Sequence, residues 1–443
     1  MVKIAFSFQH FSGLLRSGMT TMICGMLFTM LIARTMSAGM FGLYSSALAL
    51  AQMCGAMIEF GTSYELTRTS NTPRIGSAFT SALGTMWTLA IVSVLLVVMW
   101  HSSPFSSNTS YAALMSELLA IMWITLRAIG MSYSALGMVW NRAVLVGNID
   151  ALGIILSHGI AAVCVVVFSS SLSDMITPFA FGILVTGEMV KLHILHHCLT
   201  QHVDYSTELP DHPFRILLSV LRAPSASCKE TWRTIHTQWL LFAVQVLSGI
   251  EQRWGIMIGG MGLFGGNYTT VVFFSAPYRL INALRVALGA LQKTSLRAFS
   301  MAEPITSTPP HSVWQLFFVV GLGVMMVGAL WWYAYDVMTL LYGMRYAMLG
   351  DILRWQLLLL PALVVGSIAE SYILAHRQER LIVVLLVVEV LALSGFAFLL
   401  SRSSALTALT ITHIALAGAW FFAGGCTLFA WHRHTQTVTD THT

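Results

Sequence analysis

Residues 381–400 read LIVVLLVVEVLALSGFAFLL, a run with one ionisable side chain, Glu389. A helix needs about 20 apolar residues to cross the hydrocarbon core of a bilayer, and this run supplies them. Similar runs lie at 14–33, 43–60, 75–100, 111–133, 149–168 and 175–195, and again at 237–259, 268–291, 313–335, 355–375 and 405–428. The expected fold class is an all-α polytopic membrane protein of about twelve transmembrane helices. Composition points the same way: 56% of residues are hydrophobic and 9% charged, against about 25% charged in soluble globular proteins. A disordered chain is excluded too, since it needs low hydrophobicity and high net charge. Twelve spans use roughly 240 residues, which leaves no room for a large extramembrane enzyme domain.

The placement of the 23 basic residues orients the spans. With a cytoplasmic N-terminus, the inner side and tail are expected to carry Lys3, Arg68, Arg74, Arg142, Lys191, Arg215, Arg222, Lys229, Arg233, Lys293, Arg297, Arg377, Arg380 and Arg433. The opposite side carries Arg34, Arg345, Arg354 and Arg402. This is the positive-inside asymmetry, so both termini are expected in the cytoplasm. Lys3 and Arg16 before the first apolar run imitate a signal peptide, but no small-x-small site closes that run, and the first span is expected to stay.

The long polar connection divides the chain into a six-helix lobe at 1–195, a connector at 196–236, a second six-helix lobe at 237–430 and a tail at 431–443. Inside the connector, FRILLSVL at 214–221 is apolar with basic ends, which suits either a short interfacial helix or a plain connector. The two lobes echo each other: IARTMSAGMFGLY at 32–44 and IMIGGMGLFGGNY at 256–268 both end in Gly-x-Tyr before an apolar span. A repeat spaced by six spans relates the halves by an axis along the membrane normal.

Ionisable residues inside spans cost about 2.5–3.5 kcal/mol to insert, so each invites a reason. In span eight, Tyr278, Arg279, Asn282, Arg285, Gln292, Lys293 and Arg297 fall within an arc of about 140° at 100° per residue. Pro277 stands just before that arc and Pro361 lies mid-span in span ten; each removes a backbone donor and favours a kink. Guanidinium groups on one face suit a diphosphate, which they grip in a bidentate fork. Lys293 and Arg297 are near enough to the span's end to snorkel. Glu251 and Arg253 in span seven are two residues apart and cannot share a face. Arg16 at the inner end of span one suits either a cavity mouth or simple anchoring. Glu188 and Lys191 are an i,i+3 pair, and Glu117, Arg127, Glu370 and Glu389 are further charges inside spans. His158 is expected to be hydrogen-bonded within the bundle, and His193, His196, His197 and His202 to form a solvated interfacial cluster. None of the six cysteines forms a CxxC pair, so no zinc or redox site is indicated. No phosphate-binding, zinc-protease or hydrolase motif is present.

The segment LIARTMSAGMFGLYSSALALAQMCGAMIEFG at 31–61 resembles the opening of the polysaccharide flippases of the multidrug/oligosaccharidyl-lipid/polysaccharide exporter superfamily. LLSGIEQRWGIMIGGMGLFGGNYTTVVFFSAPYRLINAL is similar to that family's span seven, glycine turn and Tyr-Arg-Leu of span eight. ILRWQLLLLPALVVGSIAESYILAHRQERL resembles its spans ten to eleven. The resemblance implies two six-helix lobes around a central cavity. It also implies a flippase that moves a polyprenyl-diphosphate-linked oligosaccharide across the bacterial inner membrane by alternating access, for surface polysaccharide synthesis. Arg279, Asn282, Arg285 and Tyr278, with Arg16, Arg253 and Glu251, are then the substrate-binding candidates. The partners are the lipid-linked oligosaccharide, membrane lipids and the polysaccharide polymerase machinery, with no nucleic acid. No cofactor or metal is expected, and proton or sodium coupling stays open. An alternative is a cation-coupled multidrug exporter of the same superfamily; those proteins usually carry an acid in span one, and 17–33 holds none. A membrane glycan polymerase or ligase, from a different class, predicts a long outer loop that the sequence lacks.

Overall fold

A computed structural model describes residues 8–59, 66, 75–102, 111–140, 142–169, 171–172, 175–201 and 211–260. It also describes 276–278, 280–281, 321, 325, 327–358, 360, 366, 369–371, 373–374 and 379–400. Among these residues the regular structure is helical. The chain forms two compact units, one of Ser12–Val272 and one of Met1–Phe11 with Phe273–Thr443.

The first unit contains α1 (Phe8–Thr35) from Ser12 onward, α2 (Ala38–Glu59), α3 (Ile75–His101), α4 (Tyr111–Val139), α5 (Ala143–Phe168) and α6 (Ile176–Thr200). All six are long and apolar enough to cross a membrane, and the chain is a multi-pass membrane protein. The helices extend beyond several of the expected spans, most clearly at the starts of α1 and α5 and the end of α4. Apolar runs mark where lipid lies, whereas a helix ends where its backbone ladder ends, so a polar residue such as Asn148, outside the expected span, is helical.

α4 is the hub, packing on α2, α3, α5 and α6. α5 shows how the faces divide. Leu152, Leu156, Ile160, Val163 and Val167 are exposed, while Ala151, Ser157, Ala161 and Val165 are buried. Large side chains outward and small ones inward suit helices that gain nothing hydrophobic from association in lipid and rely on close packing instead.

The connector contains two helices, α7 (Pro213–Arg222) and α8 (Pro224–Thr237), followed by α9 (Trp239–Gly260), which packs on α2. Each connector helix opens on a proline at its first turn, where the missing N–H costs nothing. α7 seats Pro213, Ile216 and Val220 inward and packs on α3. The buried Trp87 of α3 donates its indole N–H to the Pro213 carbonyl at 3.0 Å.

In the second unit α10 (Ala334–Tyr342) runs past the expected end of span nine. It stops at Gly343, whose φ of 95° is the left-handed conformation that glycine adopts freely. A 3-10 turn (Met344–Leu349) leads into α11 (Gly350–Leu357), and α12 is Glu379–Leu400, the run read first in the sequence. Arg354 donates to the Trp331 carbonyl, pairs with Asp351 at 3.4 Å and lies over the Tyr335 ring. The Tyr342 hydroxyl donates to the Ala276 carbonyl at 3.0 Å.

Candidate functional site: a buried ion centre in the first unit

Lys191 of α6 is placed by the absence of side chains opposite it. A Cβ on Gly153 of α5 would stand 2.7 Å from both Cγ and Cδ of Lys191, and one on Gly187 would stand 2.4 Å from Ser157 Cβ. Gly153 and Ser157 on α5, like Gly187 and Lys191 on α6, are spaced i,i+4, so the two helices approach along one stripe of small residues. The lysine stem passes through the notch at Gly153, and its ammonium group is delivered to a charged cluster.

There Lys191 Nζ lies 2.6 Å from Asp150 Oδ1 and 2.5 Å from Glu188 Oε2. The lysine and glutamate side chains are 2% and 1% exposed, and Asp150 18%. The contact to Glu188 is an ion pair without hydrogen-bond alignment, and neither carboxylate oxygen has a hydrogen-bond partner among the described residues. Buried ion pairs repay their desolvation only when the remaining lone pairs are satisfied, so Glu188 is the incomplete member. Arg127 of α4 lies within electrostatic reach of Asp150 and Lys191, with its guanidinium 5.8 Å from the Trp123 ring. Two acids and two bases thus share the interior of α4, α5 and α6.

The first helix is tied to this centre. Ser17 donates to Asp150 Oδ2 and Arg16 donates to Asn148 Oδ1 at 2.8 Å. α1 therefore holds the same carboxylate as Lys191, and a change of charge at Asp150 is felt at α1 and α6 together. Beside the centre is an aromatic group. Tyr44 stacks on Phe181 with centroids 5.2 Å apart, and His158 meets Phe28 and Trp123 edge-on at 5.7 and 6.1 Å. His158 is hydrogen-bonded to the Ile154 carbonyl at 3.1 Å, as expected from its lone position in the span. Among the described residues, no group of histidine, cysteine and acid residues is arranged to hold a metal ion.

Of the residues singled out in the sequence, Arg16 is joined to Asn148 and the Glu188–Lys191 pair is formed. Glu117 meets His101 Nε2 at 2.7 Å. Tyr278 and Pro277 are buried in the second unit. Arg279, Asn282, Arg285 and Pro361 lie outside the described residues, as do the side chains of Glu251, Arg253 and Glu389. Asp150 was missed: it falls at the second position of the expected span 149–168, where it looks like an end residue rather than a buried partner. Its partners are 41 and 133 positions away. The one available signal was an acid inside a helix start that an otherwise buried lysine needs.

Neither a protein-family model nor a curated protein matches the chain. Solved structures do match over nearly the whole length. A MOP-superfamily transporter from Pyrococcus furiosus, whose binding pocket is described as reversed in polarity, aligns with a TM-score of 0.61 at 14% identity, covering 95% of this chain and 96% of its own. An outward-facing multidrug-resistance MATE-family transporter of the same superfamily gives 0.61 at 12%, covering 98% and 99%. A Vibrio cholerae MATE transporter gives 0.58 at 12%, covering 97% and 96%. Identities this low speak for the fold alone, and the chain has the all-α fold of the MOP-superfamily transporters.

Proposed function

We propose that the chain is a cation-coupled secondary transporter that exports small molecules by alternating access. The observation that carries this reading is the centre in which Lys191 is ion-paired with both Asp150 and Glu188 while Ser17 of α1 holds Asp150. Charges buried in a span mark ion and proton pathways. A proton or a sodium ion at Glu188 would sit at Oε1, which has no hydrogen-bond partner among the described residues, since Oε2 faces the Lys191 ammonium. Such an event changes the net charge next to Asp150 and so the pull between α1, α5 and α6. The MATE transporters among the matching folds support this reading. The missing acid of span one is no obstacle, because Asp150 reaches Ser17 from another helix.

A second reading is flipping of a polyprenyl-diphosphate-linked oligosaccharide across the bacterial inner membrane, with both termini cytoplasmic. It is favoured by the resemblance at 31–61 and by the basic residues Arg279 and Arg285. In that reading the polysaccharide polymerase machinery is the associated partner. The two separate in cells and inverted vesicles. Export predicts proton- or sodium-driven movement of a cationic dye such as ethidium and no loss of surface polysaccharide in a deletion strain. Flipping predicts the reverse, and absence of dye movement together with lost polysaccharide overturns the export reading.

A further inference from the structure

The connector carries a second chemistry that the transport centre does not use. α7 buries Pro213, Ile216 and Val220 and turns Leu218, Leu221, Arg215 and Arg222 outward. At 100° per residue these four fall within an arc of about 120° that passes from apolar to basic. α8 repeats the arrangement with an aromatic: Lys229, Trp232, Arg233 and His236 are exposed on one face, Trp232 at 66%. Trp239, 54% exposed, follows at the start of α9. The elbow hangs between α6, a span, and the apolar α9, so it lies at the edge of the bilayer.

We propose that α7 and α8 form a binding surface for anionic phospholipid headgroups, with Leu218, Leu221 and Trp232 in the acyl boundary and Arg215, Arg222, Lys229 and Arg233 on the phosphates. Leucine and tryptophan side by side with arginine and lysine are the composition of helices that lie in the interface plane. Tryptophan prefers the headgroup level, and each basic residue near an anionic surface adds attraction that salt screens. Charge complementarity selects the occupant: four strong bases face outward on the two helices, against Glu230. The positive-inside asymmetry of the sequence gives this connector the cytoplasmic leaflet.

The test is hydrogen exchange of the full chain in nanodiscs of phosphatidylcholine alone and with phosphatidylglycerol added. The expected result is several-fold slower exchange across 213–237 in the anionic discs, fading as salt is raised. It should be absent from the variant R215Q/R222Q/K229Q/R233Q, while peptides of α4 and α6 exchange as in wild type and report intact folding. Equal exchange in the two lipids overturns the proposal. So does protection retained by the variant, or protection in neutral discs produced by inorganic diphosphate, which would mark a site for a soluble anion.

Discussion

Lys191 stands between two carboxylates and against two glycines, and the two pairs do different work. Asp150 and Glu188 balance its charge, while Gly153 leaves space for its stem and Gly130 lies 3.7 Å from its ammonium nitrogen by the Cβ it lacks. Lys191→Met should leave two carboxylates buried without their cation and cost about 3–5 kcal/mol. Adding Glu188→Gln should recover part of it. Thermal unfolding in detergent reads both, and a K191M protein as stable as wild type would contradict the centre. Gly153→Val should cost about 1–3 kcal/mol by overpacking, because even its Cβ would collide with Lys191. His212 carries a pH prediction. Its Nδ1 accepts from the Phe214 N–H, which leaves its Nε2–H to donate to His193 Nδ1 at 3.2 Å. Burial, then His193 and Arg215, push its pKa below the usual 6.5. A depressed histidine is neutral in both folded and unfolded states above 6.5, so the seating of α7 is complete there. It weakens as pH falls below 6.5, where the released helix takes up a proton first. Exchange at the start of α7 should rise between pH 7.5 and 5.5, and much less in His212→Gln. The i,i+3 pairing of Glu188 with Lys191 was legible in the sequence because its partners share a turn. Asp150 and His212 were not, because folding brings their partners from other helices.

At the scale of elements, what positions the site is close approach in α4 to α6 and a clamp on the connector. The clamp consists of two hydrogen bonds between α3 and the connector: Trp87 donates to the Pro213 carbonyl, and the Asp211 N–H donates to Thr80 Oγ1 at 3.1 Å beside it. Trp87→Phe keeps the ring packing and removes the indole bond, while the Pro213 carbonyl keeps its place in the helical ladder, at a cost of about 0.5–1.5 kcal/mol. The expected outcome is faster exchange confined to α7, with α4 and α6 unaffected; uniform protection would show the bond to be dispensable. Apolar runs located the spans because lipid demands them. They located helix ends less well, since α5 begins six positions before its apolar run and so carries Asn148 inside the helix and Asp150 a full two turns from its start. The second connector helix went unread, because its faces are polar and only Pro224 announced it.

At the scale of the whole molecule, sidedness and coupling are each open to measurement. Cys228, exposed on α8, should react with a membrane-impermeant maleimide in inverted vesicles and stay unlabelled in intact cells, with Cys228→Ser as the control; labelling from outside would reverse the topology. All-α architecture followed from charge scarcity and run length alone. Function did not follow in the same way, because a shared fold hosts several activities and the ion centre that distinguishes them is tertiary. The most direct test of that centre is uphill transport in proteoliposomes holding purified protein, with ethidium as the probe and an imposed proton or sodium gradient. Wild type should concentrate the dye, while the charge-stripped variant Asp150→Asn/Lys191→Met/Glu188→Gln, shown folded by its unfolding transition, should only equilibrate it. Accumulation by that variant equal to wild type would contradict the account.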